Sequence, residues 1–371
     1  MNETKVARRG LAAGDRLVVK VGTASLVGDN GRPDEARLTE LIDGLARLRS
    51  RDVQTVLVSS GAIAAGLEPL GLSRRPSDIP SLQAAAAVGQ GLLFGRYALL
   101  LGRHGLTAAQ VLLTRYDFMQ RTHYLNARNT FERLLADGVV PIVNENDTVA
   151  VDEIRFGDND LLAALVTSLL HARMLVLLTD TQGVHSADPR KFPSAPVIDR
   201  VERVTPELHK AMGGKGSVLS SGGMASKLEA AKVATFAGAA VVVAPGPQAS
   251  VFDRIVAGDE IGTYFSPRTK TASARRLWIA FGRPPCGTVI VDDGARKAII
   301  EDKKSLLPVG VVSVQGDFSA GDTVDVAAIE GSVFARGLVR CGSEQLQSSL
   351  GRGGREVIHR DQLVVLLEEQ G

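Results

Sequence analysis

The chain has 371 residues, of which 44% are hydrophobic and 23% charged. Forty-three Lys and Arg against 41 Asp and Glu leave a formal charge of +2. That balance belongs to a folded globular chain, at ~100–200 residues per domain one of two domains or three. It excludes broad electrostatic adhesion to nucleic acid, although a local basic patch stays open. Cys286 and Cys341 are the only cysteines, too few for a disulfide framework; one bridge between them stays open, and two reduced thiols are the simpler state. Six scattered histidines form no HExxH pattern, so no histidine metal site is expected. Residues 1–14 hold no apolar run of signal-peptide length, and the best apolar stretch, 161–178, is broken by Thr167, Ser168, His171 and Arg173. It reads as a helix followed by a buried strand, not as a membrane span.

In chain order, 17–21 is the first β-branched run, with Lys20 near its end. Leu38, Leu41, Ile42, Leu45 and Leu48 then recur at helical spacing and predict an amphipathic helix over 34–50. Further strands are predicted at 55–59, 139–143, 174–178 and 239–243, and helices near 83–103, 124–137, 160–171 and 225–237. The strand runs are mostly apolar, as in strands covered on both faces. The alternation predicts an open, mostly parallel sheet in a three-layer αβα sandwich. The rhythm changes after about 262. The polar stretch 266–276 reads as a linker, and short runs at 277–279, 287–291, 310–314, 323–326 and 333–335 predict a small mostly-β domain, compact enough for a barrel.

Five clusters suit chemistry on anions and amines. Lys20 precedes the turn Gly22-Thr23; Ser59-Ser60-Gly61 joins a strand to an Ala-rich helix; both can aim N–H groups or an ammonium at phosphate. Each is equally explained alone as a strand-end lysine or a helix cap. Asn144, Glu145, Asn146 and Asp147 follow a buried strand, and Asp158, Asn159 and Asp160 open a helix. Strand ends of open α/β sheets are where ligands bind, and Asx turns explain only one or two of these residues. Thr179-Asp180 follows another strand, and Ser221-Gly222-Gly223-Met224-Ala225-Ser226-Lys227 leads into a helix as a loop around phosphates would. Lys215, among glycines, suggests a mobile flap. No Walker loop exists. Two lysines, glycine turns and acids outline phosphoryl transfer, which needs no base if the acceptor is a carboxylate.

In their order and combination, the stretches 18–23, 59–66, 125–130, 143–147, 156–160, 178–180 and 222–227 resemble the bacterial glutamate 5-kinase family of amino acid kinases. The segment 277–362 resembles the PUA domain of that family's long form. The resemblance implies an amino acid kinase domain over 1–265, a linker at 266–276 and a PUA domain over 277–371. It implies transfer of the ATP γ-phosphate to the γ-carboxylate of L-glutamate, the first step of proline synthesis. Lys20 and Lys227 would contact the phosphoryl group and Asp160 would organise both. Ser60, Gly61, Asn144, Asp147 and Asn159 would bind the amino acid, with Asp147 on its ammonium and Asn159 donating to its α-carboxylate. Thr179, Asp180 and the stretch from Ser221 through Gly222, Gly223, Met224, Ala225 and Ser226 to Lys227 would bind nucleotide. Mg²⁺ is expected on the ATP phosphates rather than on protein side chains. A cytoplasmic homo-oligomer, dimer or tetramer, inhibited by proline and without membrane attachment, is also implied. Ser220 and Ser221 replace the family's usual Gly-Thr before Gly222-Gly223, and the lost glycine restricts that loop. Two alternatives stand: a sibling kinase of another substrate, and an RNA-binding or sensory protein on the same scaffold, with Arg275, Arg276, Arg283 and Arg336 as a basic surface.

Overall fold

The computed structural model describes the chain except residues 1–7, 9, 29–30, 150–158, 190, 206–207, 209–222, 269–273, 283–284 and 367–371. It divides into two compact units, Met1–Thr271 and Ala272–Gly371.

The first unit is built on an eight-stranded sheet of order β3-β4-β2-β1-β5-β7-β8-β6. The strands are β1 (Arg16–Val21), β2 (Gln54–Ser59), β3 (Ala108–Leu113), β4 (Val140–Glu145), β5 (Met174–Thr179), β6 (Arg200–Val201), β7 (Ala240–Pro245) and β8 (Thr263–Phe265). The strands from β3 to β7 in that order pair in parallel, and β8 runs antiparallel to β7. The carboxyl ends of β1, β2, β4, β5 and β7 therefore share one edge, the side on which open α/β sheets bind ligands. The helices are α1 (Thr23–Leu26), α2 (Glu35–Ser50), α3 (Ala62–Leu67), α4 (Ile79–Gly102), α5 (Arg115–Met119), α6 (Arg121–Ala136), α7 (Asn159–Leu169), α8 (Met224–Phe236) and α9 (Ala249–Ala257).

Strand alternation sorts β1 between two layers. Leu17, Val19 and Val21 join Leu41, Leu45, Leu101 and Phe252, from α2, α4 and α9, in one core. Val18 and Lys20 turn to the opposite face, where α7 and α8 pack on each other. Every residue of α7 is buried, the polar Asn159, Asp160, Thr167 and Ser168 included. Asp34 caps α2, accepting from the N–H groups of Ala36 at 2.9 Å and Arg37 at 3.2 Å. The three-layer expectation therefore holds.

Several expectations shift. β3 was not anticipated: it is an edge strand that opens on the weak β formers Ala-Ala-Gln before Val-Leu-Leu, and it pairs with β4. The strand predicted at 139–143 runs instead through Asn144 and Glu145, because β3 pairs that far. Among the described residues, the helix long and apolar enough to cross a membrane, by length and composition only, is α4 rather than a segment of 161–178. Leu93, Tyr97, Leu100 and Leu101 of α4 are buried in the first unit's core.

The second unit has a five-stranded sheet of order β10-β9-β11-β12-β13, formed by β9 (Gly287–Val291), β10 (Val311–Gly316), β11 (Thr323–Ala328), β12 (Val333–Leu338) and β13 (Leu363–Val365). β9 and β11 are parallel and the other pairs antiparallel. Helices α10 (Asp293–Ile300) and α11 (Ser343–Ser348) complete it around Val289, Val326, Phe334 and Ile358. Residues 277–279, expected as a strand, are helical: Ala274–Leu277 continues into a π-helical stretch, Trp278–Gly282. Its carbonyl at Ala280 accepts from Arg336 Nη1 at 2.6 Å. Cys286 and Cys341 are both free thiols, so the bridge left open is not formed.

Candidate active site

Lys20 projects from β1 onto the face covered by α7, whose first turn carries Asp160. The two meet with Nζ 2.6 Å from Oδ1. Lys227, in the first turn of α8, reaches the other oxygen, Nζ to Oδ2, at 3.1 Å. Asp160 is fully buried and the two lysines are 2% and 5% exposed. Burial alone would raise the Asp160 carboxyl pKa, but the two ammonium groups outweigh it and hold it below the usual carboxylate range. Ser226 Oγ lies 2.7 Å from Asp160 Oδ2, with the carbonyl of Gly223 also in reach at 2.8 Å. One carboxylate thus clamps two cations, leaving net positive charge in a dry place.

A second group surrounds the ends of β2 and β4. Asn159 Nδ2 faces three acceptors: the Ser59 carbonyl at 2.9 Å, Ser60 Oγ at 2.9 Å and Asn144 Oδ1 at 2.8 Å. Ser60 N–H donates to the Val21 carbonyl at 3.2 Å, tying this turn to β1. Gly61 starts α3 with φ +102°, a left-handed conformation that a side chain would strain. Asp147 is half-buried beyond β4. Burial, then the nearby Glu145 charge, pushes its carboxyl up to about 7, with Arg75 opposing.

The structure thus brings Lys20, Asp160, Lys227 and Ser226 together, and joins Ser60, Asn144 and Asn159 into one hydrogen-bonded group. Asn159 and Asp160 are consecutive, so the two groups touch. Thr179 sits buried at the carboxyl end of β5, its Oγ1 3.1 Å from Asp180 Oδ1, while Asp180 is exposed. Gly223, Met224 and Ala225 open α8, with Gly223 as its N-cap. Ser221, Gly222, Lys215 and Asp158 lie outside the described residues. Among the described residues no group of three or more His, Cys, Asp or Glu is placed to hold a metal ion.

Sequence reasoning missed the contribution of α4. Gln90 Oε1 accepts from Asn144 Nδ2 at 2.7 Å, and the Tyr97 hydroxyl meets Ser59 Oγ at 2.8 Å. Burial pushes the Tyr97 phenol up, so it stays protonated, and either hydroxyl of the pair can donate. The available signal was their spacing, two helical turns apart on one face of an Ala- and Leu-rich helix. Arg336, expected on a basic surface, is instead tied to Asp325 at 2.7 Å as well as to Ala280.

The "Amino acid kinase family" profile matches residues 15–244, and the PUA domain profile residues 287–360. A protein named glutamate 5-kinase from Streptomyces avermitilis is 47% identical over 374 residues, covering 97% of this chain and 99% of its own. Another of that name, from Pelobacter propionicus, is 44% identical over 363 residues, covering 95% and 97%. A solved carbamate kinase from Giardia lamblia bound to AMP-PNP aligns over 70% of this chain and 100% of its own, at TM-score 0.49 and 14% identity. A triad of two buried lysines on one aspartate at the strand ends, and profile and near-full-length matches of this strength, lead to one assignment: the chain belongs to the amino acid kinase family, in its glutamate 5-kinase branch with a C-terminal PUA domain.

Proposed function

We propose that the first unit transfers the γ-phosphoryl group of ATP to the γ-carboxylate of L-glutamate. The observation that carries this reading is the buried Lys20–Asp160–Lys227 triad. An acceptor carboxylate oxygen attacks the γ-phosphorus, the bond to the bridging oxygen breaks, and ADP leaves with its electron pair. The acceptor is already anionic, so no general base is needed. The protein's task is to align the oxygens and offset charge on the moving group. Lys20 and Lys227 supply that charge at fixed positions in a site of low dielectric, where it acts strongly. Asp160 keeps the two like charges in place before substrates arrive.

Asp147, Asn144, Asn159, Ser60 and Gly61 form the proposed amino-acid pocket, with Asp147 on the substrate ammonium. Thr179, Asp180 and the segment Ser221 to Lys227 form the proposed nucleotide side. Mg²⁺ on the phosphates would add charge neutralisation; the one fully buried carboxylate among the described residues, Asp160, is already committed to lysines. A cytoplasmic homo-oligomer with proline as a feedback inhibitor belongs to the same proposal.

The test is ATP-dependent hydroxamate formation from glutamate and hydroxylamine, with aspartate and N-acetylglutamate as comparison substrates. Glutamate is expected to be preferred by at least about tenfold in kcat/KM, and equal or better use of either comparison overturns the substrate assignment. In the same assay Asp160→Asn is expected to lower kcat about a hundredfold, by analogy with loss of one charge-stabilising group, with a smaller change in glutamate KM. Near-normal kcat in a folded variant removes Asp160 from its organising role.

A further inference from the structure

The amides at the amino-acid pocket have a direction, and two backbone groups set it. The Ser59 carbonyl can only accept, so the Asn159 atom 2.9 Å from it is Nδ2. The Glu145 N–H can only donate, so the Asn144 atom 2.9 Å from it is Oδ1. The remaining group of Asn144 is then Nδ2, and the Gln90 atom 2.7 Å from it is Oε1. The chain reads Asn159 to Asn144 and Asn144 to Gln90, each donating to the next.

This polarity leaves a specific free valence. Asn159 has two amide hydrogens and three protein acceptors around them. Its Oδ1 is buried and has no hydrogen-bond partner among the described residues. A buried carbonyl oxygen without a donor is costly and calls for one. The expected role of Asn159 as donor to a substrate carboxylate is therefore not what this geometry offers: its open position accepts.

From this we propose that Gln90 is a positioning residue of the amino-acid pocket. By holding Asn144, and through it Asn159, it keeps Asn159 Oδ1 as an acceptor for the ammonium group of the substrate. The inference rests on the proposed phosphorylation of an amino acid. Gln90 acts through Asn144, to which it is hydrogen-bonded. Its height is set by helix packing: a methyl group at the adjacent Gly89 would overlap the Ala62 carbonyl of α3, and one at Gly66 would overlap the Ala85 carbonyl of α4. α3 and α4 therefore cross in backbone contact, and α3 begins immediately after Ser60 and Gly61, so both sides of the pocket share one support.

The test compares Gln90→Glu, Gln90→Leu and Gln90→Lys. Glutamate keeps an acceptor for Asn144, leucine removes it, and lysine replaces it with donors. Glutamate KM is expected within about threefold of wild type for Gln90→Glu. It is expected to rise about tenfold for Gln90→Leu, the effect of one buried unpaired polar group, and at least as much for Gln90→Lys. ATP KM is expected within about twofold throughout. Wild-type glutamate KM in Gln90→Leu, or equal impairment in Gln90→Glu and Gln90→Leu, overturns the proposal. A second measurement does not depend on turnover. With selectively ¹⁵N-labelled asparagine, the carboxamide hydrogens of Asn144 and Asn159 should exchange slowly in wild type and Gln90→Glu and quickly in Gln90→Leu, against exposed Asn126 as reference. Exchange in wild type as fast as that of Asn126 sinks the amide chain. Absence of glutamate-dependent turnover in wild type removes the substrate assignment instead, while the exchange result still decides the polarity.

Discussion

Asp147 follows β4 and Asp160 opens α7, and their surroundings drive their carboxyls in opposite directions. Asp160 faces two cations and stays ionised. Asp147 faces burial and the Glu145 charge, and its carboxyl rises from an ordinary 3.8 to about 7. If ionised Asp147 pairs with the substrate ammonium, kcat/KM for glutamate falls about tenfold per pH unit below about 7, because the free enzyme must first lose that proton. At saturating glutamate kcat changes less, since the bound ammonium favours the carboxylate. Asp147→Asn should give low kcat/KM with no inflection near 7. A wild-type profile flat between pH 5.5 and 8 rejects the pairing. The linkage sign follows from the raised folded value. The stabilising contribution of protonated Asp147 is fully present below about 3.8 and is lost as pH rises through about 7. Urea denaturation of the ligand-free protein should show that slope in wild type and not in Asp147→Asn.

At the scale of elements, the α3–α4 crossing decides where the pocket's amides sit. Both helices are rich in small residues, which lets their backbones touch at Gly66 and Gly89. Gly89→Ala must separate the helices or distort one. Overpacking of this kind costs about 1–3 kcal/mol. Gly91 of the same helix is the control, because a methyl group there meets nothing within 4 Å. Gly91→Ala is expected to be neutral or to stabilise by up to about 1 kcal/mol through helix propensity. Urea unfolding of the two variants measures the contrast, and equal stabilities refute the close crossing. A raised glutamate KM in Gly89→Ala is also expected, since Gln90 moves with its neighbour.

For the whole molecule, the two units have separate cores: the residues of the first core run from Leu11 to Tyr264, and those of the second from Val289 to Leu363. A chain ending at Thr271 is expected to fold and to keep kcat within about threefold of the full-length protein. The boundary matters. Ending the chain near Gly262, where the sequence rhythm changes, would delete β8, whose Thr263 Oγ1 accepts from the Val184 N–H at 2.8 Å and lies 2.6 Å from the Ile198 carbonyl. Calorimetry of the 1–271 chain should retain a cooperative transition; its loss shows that the units depend on each other for folding.

Much was legible in sequence because it is local. Runs of branched residues name buried strands, helical spacing names α2, and Lys20, Asp160 and Lys227 stand beside strand ends or helix starts where chemistry on anions is cheapest. Asn159 and Asp160, Ser59 and Ser60, and Gly61 were visible for the same reason. What remained hidden depends on chain segments far apart in sequence. β3 opens on Ala-Ala-Gln and β8 is only three residues long, and both are fixed by pairing with neighbouring strands. α7 has polar residues at helical spacing, which a period would turn toward solvent, and tertiary packing buries them. Gln90 lies 54 residues from Asn144, and nothing local to either residue predicts that contact. The direction of the amide chain is set by two main-chain groups whose position only the folded sheet provides. Residue identity thus determined which chemistry the edge can hold, and tertiary packing decided that Asn159 Oδ1 is the amide atom left without a partner among the described residues.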